Sequence, residues 1–324
     1  MSKICGKYLF YTLAFVQEGP YGTTELYIRL AGLYRAVTVS ETMRVTIFGA
    51  TGMLGKALTR VWKKDEITGL GSSDADIRSV DQVSKALRAS RPDWIILSAA
   101  YTDVDGCESN RELAAAVNTQ GSINVANAAR ETGAKLVFIS TDYVFNGKKT
   151  TPYEAEDARD PINVYGKTKA DAEMGVLSVL PDVCIVRTSW LFGPWGKCFP
   201  DTILKLAATR GALNVVDDQR GSPTYTFDLA DAIMQLCRAG AHGIVHCTNS
   251  GVCSWYEFAS EVVRQAGAKT VVRPTTSDKF VRPAARPSYS VLSHESLNRY
   301  GVHMRNWKDT LPDYLRLRET QWSE

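Results

Sequence analysis

The chain lacks a long apolar run, a block of like charge and any paired-cysteine motif, and each absence removes a class of function. In its 324 residues no stretch approaches the ~20 apolar residues that a membrane-spanning helix requires. The nearest, residues 8–16, follows Lys3 and Lys7 in the manner of a secretory signal. Gln17-Glu18-Gly19-Pro20 then offers no small-residue cleavage site, so no membrane partner is expected. The formal net charge is only +3, with no basic arm and no acidic tail, and nucleic acid is not an expected partner either. The slight basic excess suits an anionic ligand. Cysteines stand at 5, 107, 184, 198, 237, 247 and 253, an odd number with no CxxC spacing. That argues against a disulfide framework or a zinc site and for reduced thiols in the cytoplasm. The four histidines (242, 246, 294 and 303) fall outside every motif and read as structural. No internal repeat or low-complexity tract is present.

With 44% hydrophobic residues the chain can bury a large core. From Met43 onward, short β-branched runs alternate with segments of helical period. Strands are predicted at 44–48, 66–70, 94–98, 135–140 and 183–188, with helices at 53–63, 80–89, 108–131 and 164–179. Strand–helix alternation with long crossovers predicts a doubly wound, Rossmann-like parallel sheet covered on both faces. Beyond Trp190 the rhythm loosens. Helices are expected at 201–208, 226–239, 254–266 and 307–318, and strands near 213–216 and 244–248. Ser254-Trp-Tyr-Glu257 has capping-box spacing, and the arginine- and proline-rich residues 271–287 read as a surface loop. The expected organisation is a dinucleotide-binding domain over 43–192, with segments of 215–248 returning to it. A smaller C-terminal α/β substrate lobe covers mainly 193–324. Residues 1–42 read as an appended leader outside the catalytic fold.

Phe48-Gly49-Ala50-Thr51-Gly52-Met53-Leu54-Gly55 follows a strand and opens a helix. Glycines there allow a tight turn and close backbone approach to a pyrophosphate, which the free N–H groups of the helix start then bind. Gly49, Thr51, Gly52, Met53, Leu54 and Gly55 are therefore candidate cofactor residues. The next strand runs into Gly71-Ser72-Ser73 with no acid at its tip, so Ser72 and Ser73 would tolerate a ribose 2′-phosphate, although no arginine is placed there to attract one. NADPH is the expected cofactor, with NADH open as a second. Asp76 and Ile77 are expected beside the adenine.

Tyr165 and Lys169 are four residues apart and share a helix face. A phenol of pKa ~10 is a poor acid or base at neutral pH, and a neighbouring ammonium would bring it into range. The strand at 135–140 ends in Ser140-Thr141-Asp142-Tyr143-Val144-Phe145, which puts hydroxyl groups at the carboxyl edge of a parallel sheet, where such folds hold their ligands.

These motifs, with Ala99-Ala-Tyr-Thr-Asp-Val-Asp105, Arg187-Thr-Ser-Trp-Leu-Phe-Gly193, Asp218-Gln-Arg-Gly-Ser-Pro-Thr224 and Arg286-Pro-Ser-Tyr-Ser-Val-Leu292, cover the chain from Met43 nearly to its end. In them the chain resembles the extended short-chain dehydrogenase/reductases, and within these the dTDP-4-dehydrorhamnose reductase family. The resemblance implies reduction of a dTDP-linked ketosugar. Thr141 would hydrogen-bond the carbonyl, Tyr165 would donate the proton, and Lys169 would hold the nicotinamide ribose and lower the Tyr165 pKa. It places Asp142, Tyr143 and Trp190 in the sugar pocket, Arg286 at the nucleotide diphosphate, and Ala99, Ala100, Tyr101, Thr102 and Asn118 along the cofactor side of the cleft. Asp105 reads as a helix cap. Residues 195–200 read as a flexible lip over the sugar. Some relatives dimerise around magnesium held by glutamates. Lys56-Ala-Leu-Thr-Arg60 carries no acid on the corresponding helix, so no metal is expected, and monomer and homodimer both stay open.

Two other functions compete. One is a non-catalytic regulatory subunit resembling the methionine adenosyltransferase β subunit. In that group the position of Asp142 carries asparagine and the tryptophan matching Trp190 is lost; both are present here. The other is an epimerase or 4,6-dehydratase. A dehydratase needs Asp-Glu after the catalytic threonine, and here Asp142 is followed by Tyr143. Another nucleotide-linked 4-ketosugar as substrate is a variant of the leading reading.

Overall fold

A computed structural model of the chain describes residues 42–321, together with the backbone of three upstream strands, β1 (Phe15–Glu18), β2 (Thr24–Leu30) and β3 (Leu33–Thr38). The chain divides into two compact units, Met1–Met43 and Arg44–Glu324. In the first, β1, β2 and β3 form an antiparallel sheet in that order, with Leu30 paired to Leu33 across the second connection. Most of the apolar run at 8–16 lies outside the described residues.

The second unit is built on six parallel strands: β4 (Arg44–Phe48), β5 (Glu66–Leu70), β6 (Trp94–Leu97), β7 (Lys135–Thr141), β8 (Cys184–Thr188) and, later in the chain, Gly243–His246. Their order is β5-β4-β6-β7-β8 followed by Gly243–His246. Val45, Ile47, Ile95, Ile96, Val137, Ile185 and Val186 are essentially inaccessible, as continuous apolar runs must be when helices cover both faces. The crossovers are α1 (Met53–Val61), α2 (Val80–Ser90), the broken helix α3 (Val104–Ser109), α4 (Arg111–Ala114) and α5 (Ser122–Thr132), and α6 (Val164–Val179). The doubly wound expectation holds.

Two expectations need correcting. The helix predicted at 108–131 is interrupted by a π-helical segment, Ala115–Gly121, because buried Asn118 turns inward there to bond the backbone of Tyr101. The loop predicted at 271–287 opens with a strand, Val271–Thr275, parallel to Ala212–Val216. Pro274 disguised it, yet this two-stranded sheet leaves it on an edge, where a missing N–H costs no ladder bond.

The rest of the unit forms a second core around Phe192, Tyr225, Phe258, Trp307, Leu311 and Tyr314. Its helices include α7 (Phe199–Ala207), α8 (Thr226–Arg238) and α9 (Trp255–Gln265). The predicted capping box starts α9: Glu257 N donates to Ser254 Oγ (3.1 Å) and Ser254 N to Glu257 Oε2 (2.8 Å). The helix predicted at 307–318 opens with a 3-10 turn, Trp307–Thr310. Trp62 Nε1 donates to Ala230 O (2.9 Å), tying α8 back to the sheet's helical layer.

Candidate active site

A cleft of about 700 Å³ runs along the carboxyl ends of β4 to β8, where a doubly wound sheet presents loop backbone and helix N-termini to a ligand. At one end lies the glycine loop. Gly49 has φ +87°, and a Cβ on Gly55 would stand 2.2 Å from Gly49 O, so the first turn of α1 presses directly on the loop. The N-cap, Gly52, offers no side-chain cap and the first turn contains no acid, leaving its N–H groups and positive dipole end for an anion. Thr51, Gly52, Met53, Leu54, Ser72, Asp76, Ile77, Ala99, Ala100 and Thr102 all border the cleft.

Arg78 borders it as well, and it corrects the expectation that no arginine stands at this end. Its Nε and Nη2 grip the Asp76 carboxylate at 2.6–3.0 Å. The hydrogen bond from Arg78 holds the Asp76 carboxyl below its ordinary pKa. The signal lay two residues beyond Asp76, but the Asp–Arg fork depends on a turn that the sequence pattern does not specify.

Thr141, Asp142, Tyr143, Tyr165, Lys169 and Trp190 converge at the centre. The end of β7 carries Thr141, whose Oγ1 donates to Asp142 Oδ1 (2.9 Å) and accepts from Tyr143 N (3.2 Å). Asn163 caps α6 by accepting from Gly166 N (2.7 Å), so the helix begins beside Tyr165. The rings of Tyr143 and Tyr165 meet edge to face at 5.9 Å. Lys169 is buried, its Nζ donating to Ile139 O (2.7 Å) over the ring of Phe138.

Burial dominates the electrostatics. It pulls the Lys169 ammonium down to about 7, against the opposing charge of Glu173. It pushes the Asp142 carboxyl up to about 7, with hydrogen bonds from Ser290 and Thr141 pulling the other way. Asp142 Oδ2 is a buried acceptor with no hydrogen-bond partner among the described residues. Burial, and then the charge of Asp142, raise the Tyr165 phenol, with hydrogen bonding to Thr141 opposing. This environment favours the protonated phenol of Tyr165.

Four expected residues stand off the cleft wall. Ser73 is exposed beyond it. Asn118 is fully buried, its Oδ1 accepting from Tyr101 N (2.8 Å) and its Nδ2 donating to Tyr101 O (3.1 Å) and Thr168 Oγ1 (3.1 Å). It and Tyr101 thus brace the wall from behind. Arg286 lines a neighbouring depression with Lys148, Lys149 and Arg220, and its Nη1 donates to Asp105 Oδ1 (2.5 Å). Asp105 is not the helix cap; Asp103 is, accepting from Gly106 N (2.9 Å), while Asp105 tethers Arg282, Ala284 and Arg286. The stretch read as a lip contributes Lys197 to the cleft, and Trp195 is held under Arg60 at 3.8 Å. Trp255, from α9, also borders the cleft; nothing in the sequence pattern linked it to Trp190.

A phosphate-ready glycine loop and a Thr–Tyr–Lys group sharing one cleft of a doubly wound sheet define a Rossmann-type oxidoreductase of the short-chain dehydrogenase/reductase class. Residues 43–319 match the model described as the RmlD substrate binding domain, and the chain belongs to that family. It is 42% identical to a dTDP-4-dehydrorhamnose reductase of Mycolicibacterium smegmatis over 83% of this chain and 84% of the other. It is equally identical, over 84% of this chain and 96% of the other, to a probable dTDP-4,6-dihydroxy-2-methyloxan-3-one 4-ketoreductase of Streptomyces antibioticus. Among solved structures, a dTDP-4-dehydrorhamnose reductase of Bacillus anthracis in complex with NADP matches with TM-score 0.82 and 40% identity, over 85% of this chain and 99% of the other. No helix of the described residues is long and apolar enough to cross a membrane.

Proposed function

We propose that the chain reduces the 4-keto group of dTDP-4-dehydro-6-deoxy-L-mannose to give dTDP-L-rhamnose, with NADPH as preferred cofactor. The observation that carries this is the convergence of Thr141, Asp142, Tyr165 and Lys169 in one cleft with the glycine loop. The uncapped, acid-free start of α1 fits a pyrophosphate, and Ser72 and Arg78 fit a ribose 2′-phosphate. Gly49 to Gly55, Ser72, Arg78 and Lys169 would therefore hold the dinucleotide. When bound, the nicotinamide supplies the hydride.

The chain's own residues do the rest. Thr141 Oγ1 turns its one proton from Asp142 Oδ1 to the ketone oxygen and fixes the face it presents. Tyr165, kept protonated by its surroundings, gives its Oη proton to that oxygen as the carbonyl carbon is reduced. Asp142, on the same cleft wall, accepts a hydroxyl of the sugar. Tyr143 and Trp190 pack against the ring. Arg286 acts from outside the main cleft, on the diphosphate side. In this reading residues 43–192 bind mainly cofactor and 193–324 mainly substrate, residues 1–42 are a leader, and the enzyme works in the cytoplasm.

The test follows the loss of reduced-nicotinamide absorbance with purified protein, either dinucleotide and the ketosugar generated in situ. Stoichiometric oxidation is expected, falling on the order of 10²–10⁴-fold in Tyr165→Phe with dinucleotide affinity retained. Near wild-type turnover in that variant would remove Tyr165 from its role, and no oxidation by the wild type would remove the reaction.

A further inference from the structure

Trp190 follows β8 with a left-handed backbone (φ +47°), a conformation a bulky residue keeps only when its surroundings impose it. Three contacts do so. Thr224 N donates to Trp190 O (3.2 Å). A Cβ on Gly221 would stand 2.5 Å from Trp190 Cε2, so backbone closes on one edge of the indole. Trp255 covers one face, its ring stacked at 3.5 Å and 8°. Trp255 is itself anchored: it is the first residue of α9 behind the Ser254/Glu257 capping box, its Nε1 donates to Gln219 Oε1 (3.2 Å), and Phe199 packs on it at 4.6 Å.

Both indoles border the cleft. Trp190 lies two residues beyond Thr188, which pairs with Thr141 across β7 and β8. Whatever group reacts at Thr141 and Tyr165 therefore shares one cleft with the indole pair. The Trp255 N–H is committed to Gln219, so Trp255 adds only apolar surface to this stretch of wall.

We propose that Trp255 is a specificity-determining residue that, stacked on Trp190, forms an apolar wall selecting a 6-deoxyhexose over the corresponding 6-hydroxy sugar. The proposal rests on the ketosugar reductase reading of the cleft. A methyl group gains contact on such a wall, whereas a primary hydroxyl loses its water there without a partner. Trp255 acts on binding, and the reacting atoms stay with Thr141 and Tyr165.

Two ligands that share the product's configuration, differ only at C6 and do not react with NADPH, dTDP-L-rhamnose and dTDP-L-mannose, provide the test. Their dissociation constants are measured with cofactor present on the wild type and on Trp255→Ala, Trp255→Phe and Trp255→Gln. The wild type should prefer the deoxy ligand by about 10-fold or more. Trp255→Ala and Trp255→Gln should bring that ratio near one and raise KM for the ketosugar, leaving kcat and NADPH affinity little changed, while Trp255→Phe keeps most of the preference. If Trp255→Ala does not fold, the Phe and Gln variants, which retain bulk, decide the question. An unchanged ratio in a folded Ala or Gln variant overturns the proposal, as does a parallel loss of NADPH affinity, which would mark Trp255 as a structural prop. Wild-type turnover of the ketosugar separates the two failures: without it the reductase reading falls as well, and with it only the role of Trp255 falls.

Discussion

Replacing Glu173 by glutamine should damage the protein more than any change of equal size on its surface. Glu173 lies on α6 one turn beyond Lys169 and is fully inaccessible. It accepts from Ser140 Oγ (2.5 Å), Arg159 Nε (2.5 Å), Arg187 Nε (2.9 Å) and Arg187 Nη2 (2.7 Å). Arg187 is inaccessible too, and its Nη1 reaches Ala155 O (3.2 Å) and His246 Nε2 (3.3 Å). One carboxylate thus joins the strand end before Thr141, the segment leading to Tyr165, the catalytic helix and β8. Burial alone would raise its pKa, but the hydrogen bonds and charge of Arg187, with Arg159 and Ser140, hold it below the ordinary value. A depressed folded-state pKa means that stability is present above the unfolded-state pKa and is lost as pH falls through the folded value.

Glutamine keeps the shape and removes the charge, leaving Arg187 buried without a counter-ion. Breaking a buried pair in this way costs about 3–5 kcal/mol. For a unit of this size that lowers Tm on the order of 10 °C. Differential scanning calorimetry at neutral pH measures it, and the double variant Glu173→Gln/Arg187→Met, which removes both charges, should recover most of the loss. A single variant that melts with the wild type, or a double variant no better than the single, would refute the argument that an uncompensated charge is what makes the change costly.

Gly49→Ala would place a methyl 2.6 Å from Ala99 N at φ +87°, so it should cost about 1–3 kcal/mol and weaken dinucleotide binding, read by thermal melting and fluorescence titration. Arg78→Ala should leave Asp76 as a bare carboxylate at the ribose end, weakening NADPH about tenfold while sparing NADH, which a comparison of dissociation constants reads directly. His246, pushed to about 3 by burial and by Arg187, stays neutral in the fold but takes up a proton near 6.5 when unfolded. Stability should therefore rise with pH between those values by up to about 1.4 kcal/mol per pH unit. In His246→Gln, urea midpoints at several pH values in that window should show a shallower slope by one proton.

Much of the fold was legible because its signals are local. The apolar run Arg44–Phe48 ended by Gly49 and the Ser254 capping box each act within a few residues, and each element starts where its chemistry demands. The cleft centre was legible for the same reason: Thr141 ends a strand, and Tyr165 and Lys169 share a helix face, so a parallel sheet brings them to one edge. Pro274 concealed a strand because local propensity does not know that the partner side is an edge.

What tertiary structure alone decided are the pairings across long stretches of chain. Asp105 looked like a cap until the fold brought Arg286 to it from 181 residues away. Asn118 looked like a cofactor ligand until the π-helical turn aimed it at the backbone of Tyr101. Trp255 gained meaning only when α9 laid it on Trp190, and Tyr165 is held protonated by a burial that no residue spacing encodes. Periodicity and turn chemistry are properties of neighbours in sequence, so the chain carries them openly. Desolvation and ion pairing depend on which distant surfaces close over a group, and those exist only after the chain has folded.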